Sequence, residues 1–446
     1  MILDTIQNLL SEFTLCTNCL GRQFGSLLTG TSNKARGEAL LLTLGMQIHQ
    51  TYIENNCYPE KMDSLLKVNF EPFTSLIQKI DALKNIEIAH SPCYICGDLF
   101  EDSNLLTLAN TIVAHSKRYE FTTFLIGCNT PPTITEKEEI LRSKFNLEFG
   151  ETLKSEFNRE LGKYVLKAIQ DKQVEFNTPE ILFIVDLDSK LVKASSNPLF
   201  IEGSYRKLVR GIPQAIWLCS NCRGKGCEKC NTTGRNYPDS VEEYITPYIQ
   251  QAAKGSDVKI HCSGREDVDA LMLGKGRPFV VEVSQPKIRT LDLTKLELMI
   301  NTSANRRVDV VLKGSSSRMI LRSLKGESTK MAKRYRMKIS LSEPNLEVWN
   351  KEIIKNGLIG EIDQDTPTRV KHRRADLLRK RHVYDINFIK LSDTDAEIEV
   401  YCEGGLYVKE LMHGDEGRTK PSVAQIVNRK VTVLYLDVLE VEHEKI

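Results

Sequence analysis

The sequence predicts an α+β protein with several domains. The chain has 446 residues, and at roughly 150 residues per domain this length suits two to three domains. Hydrophobic residues make up 41% and charged residues 27% of the chain, which is typical of globular proteins that bury a core. Helical spacing of apolar residues dominates the beginning, helices and strands mix in the middle, and strand patterns dominate from about residue 256 onward.

The amino-terminal part is predicted in two segments. Residues 1–70 carry apolar residues at helical spacing and contain one cysteine pair. Residues 71–200 mix predicted helices with predicted strands, which indicates a compact α/β module. The predicted helices of this module are 105–115 and 155–169, and its predicted strands are 86–90, 122–127, 180–186 and 198–202.

The carboxyl-terminal part is predicted as a linker followed by a sheet domain. Residues 201–255 contain a turn-rich cysteine cluster and a helix over 241–253, for which Ser240 and Glu243 form a capping box. Residues 256–446 are predicted to form an antiparallel sheet. Its predicted strands are 277–283, 308–312, 335–341, 396–402 and 431–438.

Composition argues against several classes of protein. Lys plus Arg number 61 and Asp plus Glu number 59, so the net charge of +2 points to no particular partner. Twelve cysteines are too few for a disulfide scaffold of this length. No apolar run approaches the roughly 20 residues that span a bilayer, and residues 1–10 carry Asp4 and no basic leader. We therefore expect a cytoplasmic protein without a membrane partner.

Eight of the cysteines form four Cys-x-x-Cys pairs, which is the spacing of zinc ligands. A tetrahedral zinc ion with four thiolates has a closed shell, so we expect structural metal rather than a catalytic one. Redox-active or free cysteines are the alternative. The first predicted site, which joins residues 1–70 to 86–100 in a zinc-stapled lobe, consists of Cys16, Cys19, Cys93 and Cys96. The second predicted site is compact and consists of Cys219, Cys222, Cys227 and Cys230.

Positive charge is concentrated in two segments of the sheet domain. Residues 306–336 hold ten basic and two acidic residues, which gives a net charge of +8. Residues 369–381 hold seven basic residues and one acidic residue, which gives a net charge of +6. A single basic run is usually a solvated face, but two runs in one domain favour contact with a phosphate backbone. The arginines that we predict to contact nucleic acid are Arg334, Arg336, Arg369, Arg373 and Arg374.

A glycine-flanked acidic turn at residues 264–269 is the candidate for catalysis. Its sequence, Gly-Arg-Glu-Asp-Val-Asp, places Arg265 close to Asp267 along the chain. A carboxylate beside a guanidinium stays ionised and can act as a nucleophile or base. Taken alone, such a segment is more often a surface turn with a local ion pair. The sequence contains no P-loop and no histidine spacing of a metal hydrolase.

Two further segments combine aromatic and basic side chains. In the predicted strand 335–341, apolar and basic side chains alternate, and Tyr335 heads the apolar face. A tyrosine in this position can stack on a nucleobase, although packing at the edge of a core is the commoner role. Tyr407 and Lys409 follow a Gly-Gly turn, where packing and surface charge are again the ordinary explanations.

Together these segments resemble the tenth family of pseudouridine synthases, archaeal and eukaryotic tRNA enzymes with a THUMP-containing amino-terminal region. The resemblance extends from residue 15 to about 425 and is carried by residues 16–24, 93–96, 205–214, 264–279, 405–409 and 415–422. The compact second cysteine group resembles the archaeal branch. The resemblance implies a THUMP-like RNA-binding domain over 71–200 and a pseudouridine synthase catalytic domain over 256–446.

The resemblance also implies a reaction and residue roles. Family members isomerise uridine to pseudouridine in the T-loop of tRNA, at positions 54 and 55, after flipping the base. Asp267 aligns with the nucleophile, Tyr335 with the residue that stacks on the base and is a candidate for proton abstraction, and Tyr407 with a second substrate contact. Lys409 aligns with the partner of Asp267, and Arg265 is expected to help keep Asp267 ionised.

The isomerisation requires neither a catalytic cofactor nor a nucleotide, and we expect a monomer that binds tRNA. Whether Asp267 attacks the sugar or the base is left open by the sequence. A non-catalytic RNA-binding or tRNA-binding protein would share the basic runs and cysteine pairs, but it would not need Asp267, Tyr335 and Lys409 together. A THUMP-type methyltransferase or thiolation enzyme should carry a longer Gly-rich loop than residues 274–276, and a metal hydrolase should cluster the eight scattered histidines.

Overall fold

The computed structural model describes residues 2–55, 67–79, 91–326, 331–343 and 349–442. The chain divides into two compact units, Met1–Asn197 and Pro198–Ile446. The strand predicted at 86–90 lies outside the described residues. Among the helices that are described, none has both the length and the apolar character needed to cross a membrane.

The first unit combines a helical lobe with a sheet that has four described strands. The helices are α1 (Ile2–Glu12), α2 (Thr17–Gly21), α3 (Asn33–Asn55), α4 (Glu71–Lys79), α5 (Asp102–Ser116), α6 (Pro132–Phe145) and α7 (Leu153–Ala168). The strands are β1 (Thr123–Asn129), β2 (Gln173–Val174), β3 (Ile181–Asp186) and β4 (Val192–Ser196). The order is β2-β1-β3-β4, where β1 is parallel to both neighbours and β4 is antiparallel to β3.

One hydrophobic core joins the predicted segments 1–70 and 71–200. Leu9 of α1, Leu41 of α3 and Phe157 of α7 belong to the same buried cluster. The predicted boundary at residue 70 therefore runs through one core instead of between two. The reason is that the contacts across residue 70 link elements far apart along the chain, and local periodicity does not reveal such contacts.

A buried charge cluster ties the start of the chain to α6 and α7. Arg22 is fully buried and lies 3.0 Å from a carboxylate oxygen of Glu138 and 3.6 Å from one of Glu156. Asn18 donates a hydrogen bond to Glu156 at 3.0 Å. Burial raises the pKa of Glu156 to about 7, even though Asn18 and Arg22 favour its charged form.

We expect Glu156→Gln to remove a pH dependence of stability. Because the folded pKa of about 7 lies above the ordinary 4.5, the stabilisation by the wild-type carboxyl is complete below about pH 4.5 and is lost as the pH rises through about 7. At about 1.4 kcal/mol per pH unit, this loss is on the order of 3 kcal/mol. Urea-induced unfolding of both proteins at pH 5 and pH 8 measures it.

From pH 5 to pH 8, the free energy of unfolding of Glu156→Gln should increase relative to that of wild type. Glu160→Gln is the matched control, because Glu160 is on the same helix and pairs with Lys163 at 2.8 Å. A stability difference that is the same at both pH values for Glu156→Gln would contradict the expectation.

The second unit is built on a sheet with ten described strands. They are β5 (Leu199–Lys207), β6 (Asp257–Cys262), β7 (Leu271–Ser284), β8 (Val308–Ser315), β9 (Lys333–Leu341), β10 (Gly360–Gln364), β11 (Arg379–Leu391), β12 (Asp395–Cys402), β13 (Thr419–Lys420) and β14 (Val431–Val441). The order is β13-β10-β11-β12-β9-β14-β7-β5-β8, and β6 pairs with β7. The helices are α8 (Val241–Ala253), α9 (Leu293–Ala304), α10 (Arg318–Gly326), α11 (Lys351–Leu358), α12 (Val408–His413) and α13 (Val423–Val427).

The sheet is largely antiparallel, as the strand patterns predict. β9 is antiparallel to both of its neighbours, β12 and β14. The pairing of β14 with β7 is parallel and covers only two residue pairs, Asp437 with Leu271 and Val438 with Met272. This short contact joins the two halves of the sheet.

The segment 201–255, which the sequence predicts to be a linker, begins inside the sheet. β5 lies between β7 and β8 and is antiparallel to both. At Gly203 a Cβ atom would stand 2.6 Å from the carbonyl oxygen of Val311 and 2.7 Å from the ring of Phe279, so only glycine fits. The strand pattern at 198–202 is correct, but the partner strands follow much later in the chain and the pattern does not name them.

Candidate active site

A cavity in the second unit collects most of the residues that we predict to act in catalysis or substrate binding. Its volume is about 410 Å³, within the range of roughly 300–1,000 Å³ that is typical of small-ligand sites. Seven predicted residues from four separate segments line it, namely Arg265, Asp267, Tyr335, Arg369, Arg374, Tyr407 and Lys409.

Asp267 lies in the loop between β6 and β7, and its side chain is 38% exposed. The ammonium group of Lys409 is 3.1 Å from Oδ2 of Asp267, and the guanidinium of Arg369 is 3.9 Å from the same atom. Lys409 also lies 3.1 Å from Asp269. Partial burial opposes ionisation of Asp269, but the hydrogen bond from Lys409 outweighs it and lowers the pKa of Asp269. Two cations therefore face Asp267 and hold its carboxylate in place.

The turn before α12 positions Tyr407 and, through it, Lys409. Buried Gln364 of β10 accepts a hydrogen bond from the backbone N–H of Tyr407 at 2.8 Å and donates one to its carbonyl oxygen at 3.0 Å. Arg374 donates to the hydroxyl of Tyr407 at 2.5 Å. Tyr407 is thus fixed at both its backbone and its side chain, and Lys409 follows in the first turn of the helix.

Arg265 does not have the position that the sequence predicts. Its guanidinium lies over the ring of Trp217, 4.5 Å from the ring centre, and the described residues show no ion pair between Arg265 and Asp267. Arg369, predicted as a contact to nucleic acid, is the second cation that faces Asp267. Closeness along the loop did not predict closeness in space, because Arg265 turns towards the ring of Trp217, which comes from a distant segment of the chain.

Three predicted substrate-binding arginines are not among the described residues that line the cavity. Arg334 lies over an aromatic ring of β12, and Arg336 pairs with Glu399 at 2.8 Å. Both alternate with Tyr335 along β9, so they point to the opposite face of the sheet. The side chain of Arg373 lies outside the described part of the structure.

A buried network beneath the Asp267 loop went unrecognised in the sequence. Arg277 is 2% exposed and donates from Nε to Glu266 at 2.7 Å, and the hydroxyl of Tyr205 donates to Glu266 at 2.9 Å. Arg277 also donates to the carbonyl oxygen of Ser263 at 2.6 Å. A signal was present, because Tyr205 and Arg277 both fall in segments that carry the family resemblance.

Lys207 holds the backbone of the same loop from below. Its buried ammonium group donates to the carbonyl oxygens of Ile212 at 2.9 Å, Asp267 at 3.0 Å and Val268 at 3.2 Å. Burial lowers the pKa of Lys207 to about 8. Three carbonyl groups converge on one donor, and this restricts the backbone that presents the Asp267 carboxylate to the cavity.

Both predicted groups of four cysteines come together in space. Within each group, all four sulfur atoms lie within 4.8 Å of one another. The sulfur atoms of Cys16 and Cys96 are 3.7 Å apart, and those of Cys222 and Cys230 are 3.8 Å apart. A tetrahedral zinc ion with bonds of about 2.3 Å separates its sulfur ligands by about 3.8 Å. Each group could therefore hold a structural zinc ion.

Comparison with known proteins identifies the family. The family model described as Pus10, C-terminal, matches residues 200–442, and the model of the Pus10 THUMP domain, archaeal, matches residues 108–186. A Methanocaldococcus jannaschii protein named tRNA pseudouridine synthase Pus10 is 39% identical, and the alignment covers 97% of this chain and 93% of the relative. A protein of the same name from Methanopyrus kandleri is 36% identical, and the alignment covers 98% of this chain and 98% of the relative. Another from Thermofilum pendens is 34% identical, and the alignment covers 99% of this chain and 95% of the relative.

A chain in the crystal structure of a Cbf5-Nop10-Gar1 complex aligns with 53% of this chain and 48% of its own length, at 14% identity and a TM-score of 0.29. This likeness is too distant to add to the comparison of sequences.

The two matched domains define the class, which is that of THUMP-containing pseudouridine synthases. The chain belongs to the Pus10 family. The family predicted from the sequence motifs is thereby confirmed.

Proposed function

We propose that the cavity isomerises uridine to pseudouridine in the T-loop of tRNA, at positions 54 and 55, with Asp267 as the nucleophile. The observation that carries this proposal is the convergence of Asp267, Tyr335 and Lys409 in one cavity of a domain that matches the Pus10 family. The shared name of the relatives supplies the substrate, tRNA, and the reaction. A monomeric state and a cytoplasmic location stay predictions.

The reaction breaks the bond between N1 and C1′ of uridine and joins C5 to C1′, without change in composition or oxidation state. The Asp267 carboxylate attacks C1′ of the sugar or C6 of the base, while Lys409 and Arg369 keep it in position. The detached uracil stays in the cavity and turns until C5 faces C1′. The bond from Asp267 to C1′ breaks as C5 bonds to C1′, or, if Asp267 has attacked C6, that bond breaks afterwards. C5 then loses its proton, N1 carries one in the product, and the Asp267 carboxylate is regenerated.

Aromatic and basic side chains around the cavity suit a flipped nucleotide. A base in a folded RNA must leave its stack to reach Asp267, and an aromatic ring offsets part of that cost. Tyr335 supplies such a ring inside the cavity. Burial raises the pKa of Tyr335, so its hydroxyl stays protonated at neutral pH, which favours stacking over proton abstraction. Arg369 and Arg374 also line the cavity, where they suit contacts with RNA phosphates.

An assay on unmodified tRNA tests the proposal. Purified protein is incubated with tRNA transcript, and pseudouridine is mapped by carbodiimide treatment and primer extension. We expect new pseudouridine in the T-loop. Tight tRNA binding without pseudouridine would contradict the proposal and would favour a non-catalytic tRNA-binding protein.

We also propose that the two cysteine groups bind structural zinc. Four thiolates leave no open coordination position, so zinc would stabilise the fold and take no part in the reaction. Nearby donors fit metal-bound thiolates, since the side chain of Asn221 donates to Cys227 at 3.3 Å and the backbone N–H of Gly234 donates to Cys230 at 3.2 Å.

Purified protein should contain about two zinc ions per chain, one for each group of four cysteines. Cys93→Ser should lower the content by one ion and destabilise the first unit by several kcal/mol, because metal binding contributes directly to folding. Cys128→Ser is the matched control, since Cys128 is buried but belongs to neither group. Metal analysis by mass spectrometry measures the content. Unchanged zinc in Cys93→Ser would argue against the first site.

A further inference from the structure

Lys333 is a buried cation in the cavity for which the proposed mechanism has no use. It is the first residue of β9 and lies two residues before Tyr335 on the same face of the strand. Its side chain lines the cavity, yet Lys333 is only 8% exposed. Among the described residues, the ammonium group of Lys333 forms no hydrogen bond and no ion pair. A largely buried ammonium without a protein partner costs free energy, which a ligand in the cavity would offset.

The groups around Lys333 do not satisfy it. Arg277 of β7 repels it, and Glu266 is already bound by Arg277 at 2.7 Å. Cys402 lies opposite Lys333 in the register of β12. Burial, as the largest cause, lowers the pKa of Lys333 to about 8, so the group is still mainly an ammonium ion, with three donor hydrogens, at neutral pH.

The other cations of the cavity are already engaged by partners. Among the described lining residues, the pairs are Lys409 with Asp267, Arg369 with Glu410, Arg277 with Glu266, Arg374 with Tyr407, and Arg265 with Trp217. Among the described lining residues, Lys333 is therefore the cation without a protein partner. The ligand must offer an acceptor deep in the cavity.

We propose that Lys333 donates a hydrogen bond to the uracil carbonyl oxygen that lies across the ring from the reacting atom, and that it thereby selects uracil and holds it during its rotation. The proposal rests on the proposed function. Asp267 is partly exposed whereas Lys333 is buried, and in this proposal the sugar lies towards Asp267 and the far edge of the base towards Lys333.

Ring geometry gives this single donor an acceptor on both sides of the rotation. In the pyrimidine ring C4 lies opposite N1, and C2 lies opposite C5. When N1 faces Asp267, the oxygen O4 faces Lys333, and when C5 has turned towards C1′, the oxygen O2 takes its place. Cytosine carries an amino group at C4, so it would present donor hydrogens to the ammonium and would be rejected.

The test combines one atom changed in the RNA with one side chain changed in the protein. tRNA is prepared with 4-thiouridine at the modified position, because sulfur accepts hydrogen bonds more weakly than oxygen. A hydrogen bond to a charged group corresponds to a rate change of about 10-fold to 100-fold. We expect the single-turnover rate of wild type to fall by about this factor when 4-thiouridine replaces uridine. With ordinary tRNA, Lys333→Met should show the same loss relative to wild type. Its rate should not fall further with 4-thiouridine.

Two further variants complete the design. Lys333→Arg keeps a donor and should remain sensitive to 4-thiouridine. Lys338→Met is the matched control on the same strand, because Lys338 pairs with Asp395 at 3.0 Å and does not line the cavity. Its rates with both RNAs should equal those of wild type, and tRNA affinity should be unchanged in all variants.

The possible results separate this inference from the function on which it rests. A wild-type rate in Lys333→Met, or equal sensitivity of wild type and Lys333→Met to 4-thiouridine, would overturn the role of Lys333 alone. No pseudouridine from wild type with ordinary tRNA would overturn the proposed function and this inference together. The wild-type comparison of two RNAs requires no substitution in the protein, so it does not depend on the folding of a variant.

Discussion

Asp267→Asn should abolish pseudouridine formation and leave tRNA binding intact. The amide has nearly the shape of the carboxylate but cannot act as the nucleophile, so the rate should fall by a factor of about 10³ or more. The fold should be little affected, because the contacts of Asp267 with Lys409 and Arg369 are partly exposed to water. Single-turnover assays, tRNA binding and thermal unfolding measure the three quantities.

The matched control for this substitution is Asp257→Asn. Asp257 is an exposed carboxylate on β6, the strand just before the Asp267 loop, and it does not line the cavity. This variant should keep the wild-type rate. A rate for Asp267→Asn within tenfold of wild type would exclude Asp267 as the nucleophile, and a parallel loss of tRNA binding would indicate that its role is in binding.

Arg277→Met should strongly destabilise the second unit and should also lower activity. The substitution leaves buried Glu266 without its cationic partner, and removal of one partner of a buried ion pair costs about 3–5 kcal/mol. It also removes the hydrogen bond to the carbonyl oxygen of Ser263, so the loop that carries Asp267 should become less ordered. Urea-induced unfolding, followed by the fluorescence of Trp217 and Trp349, the two tryptophans of the chain, both in the second unit, measures the stability.

A double-mutant cycle separates the ion pair from simple packing. Glu266→Gln in the Arg277→Met background removes the uncompensated charge and should restore part of the lost stability. Arg206→Met is the control, because exposed Arg206 pairs with Asp309 on the neighbouring strand, and such a surface pair contributes only about 0–1 kcal/mol. Equal losses in Arg277→Met and Arg206→Met would contradict the expectation.

Features that depend on local spacing were predictable from the sequence. The capped helix after Ser240 forms as expected, since Ser240 accepts from the backbone N–H of Glu243 at 3.3 Å. The alternation along β9 places Tyr335 in the cavity and Arg334 on the other face. The two-residue spacing sets the geometry within each cysteine pair, and the structure brings the four pairs together into two groups of four. Asp267 and Lys409, which the family motifs single out, both line the cavity.

Tertiary structure alone decided which side chains meet. It placed Arg369 rather than Arg265 beside Asp267. It inserted β5 between β7 and β8, next to one edge of the sheet, and it buried Arg277 and Lys333 in the wall of the cavity. The physical reason is common to all of these cases. Burial and pairing depend on strands far apart along the chain, and local sequence encodes the direction of a side chain but not the partner that it meets.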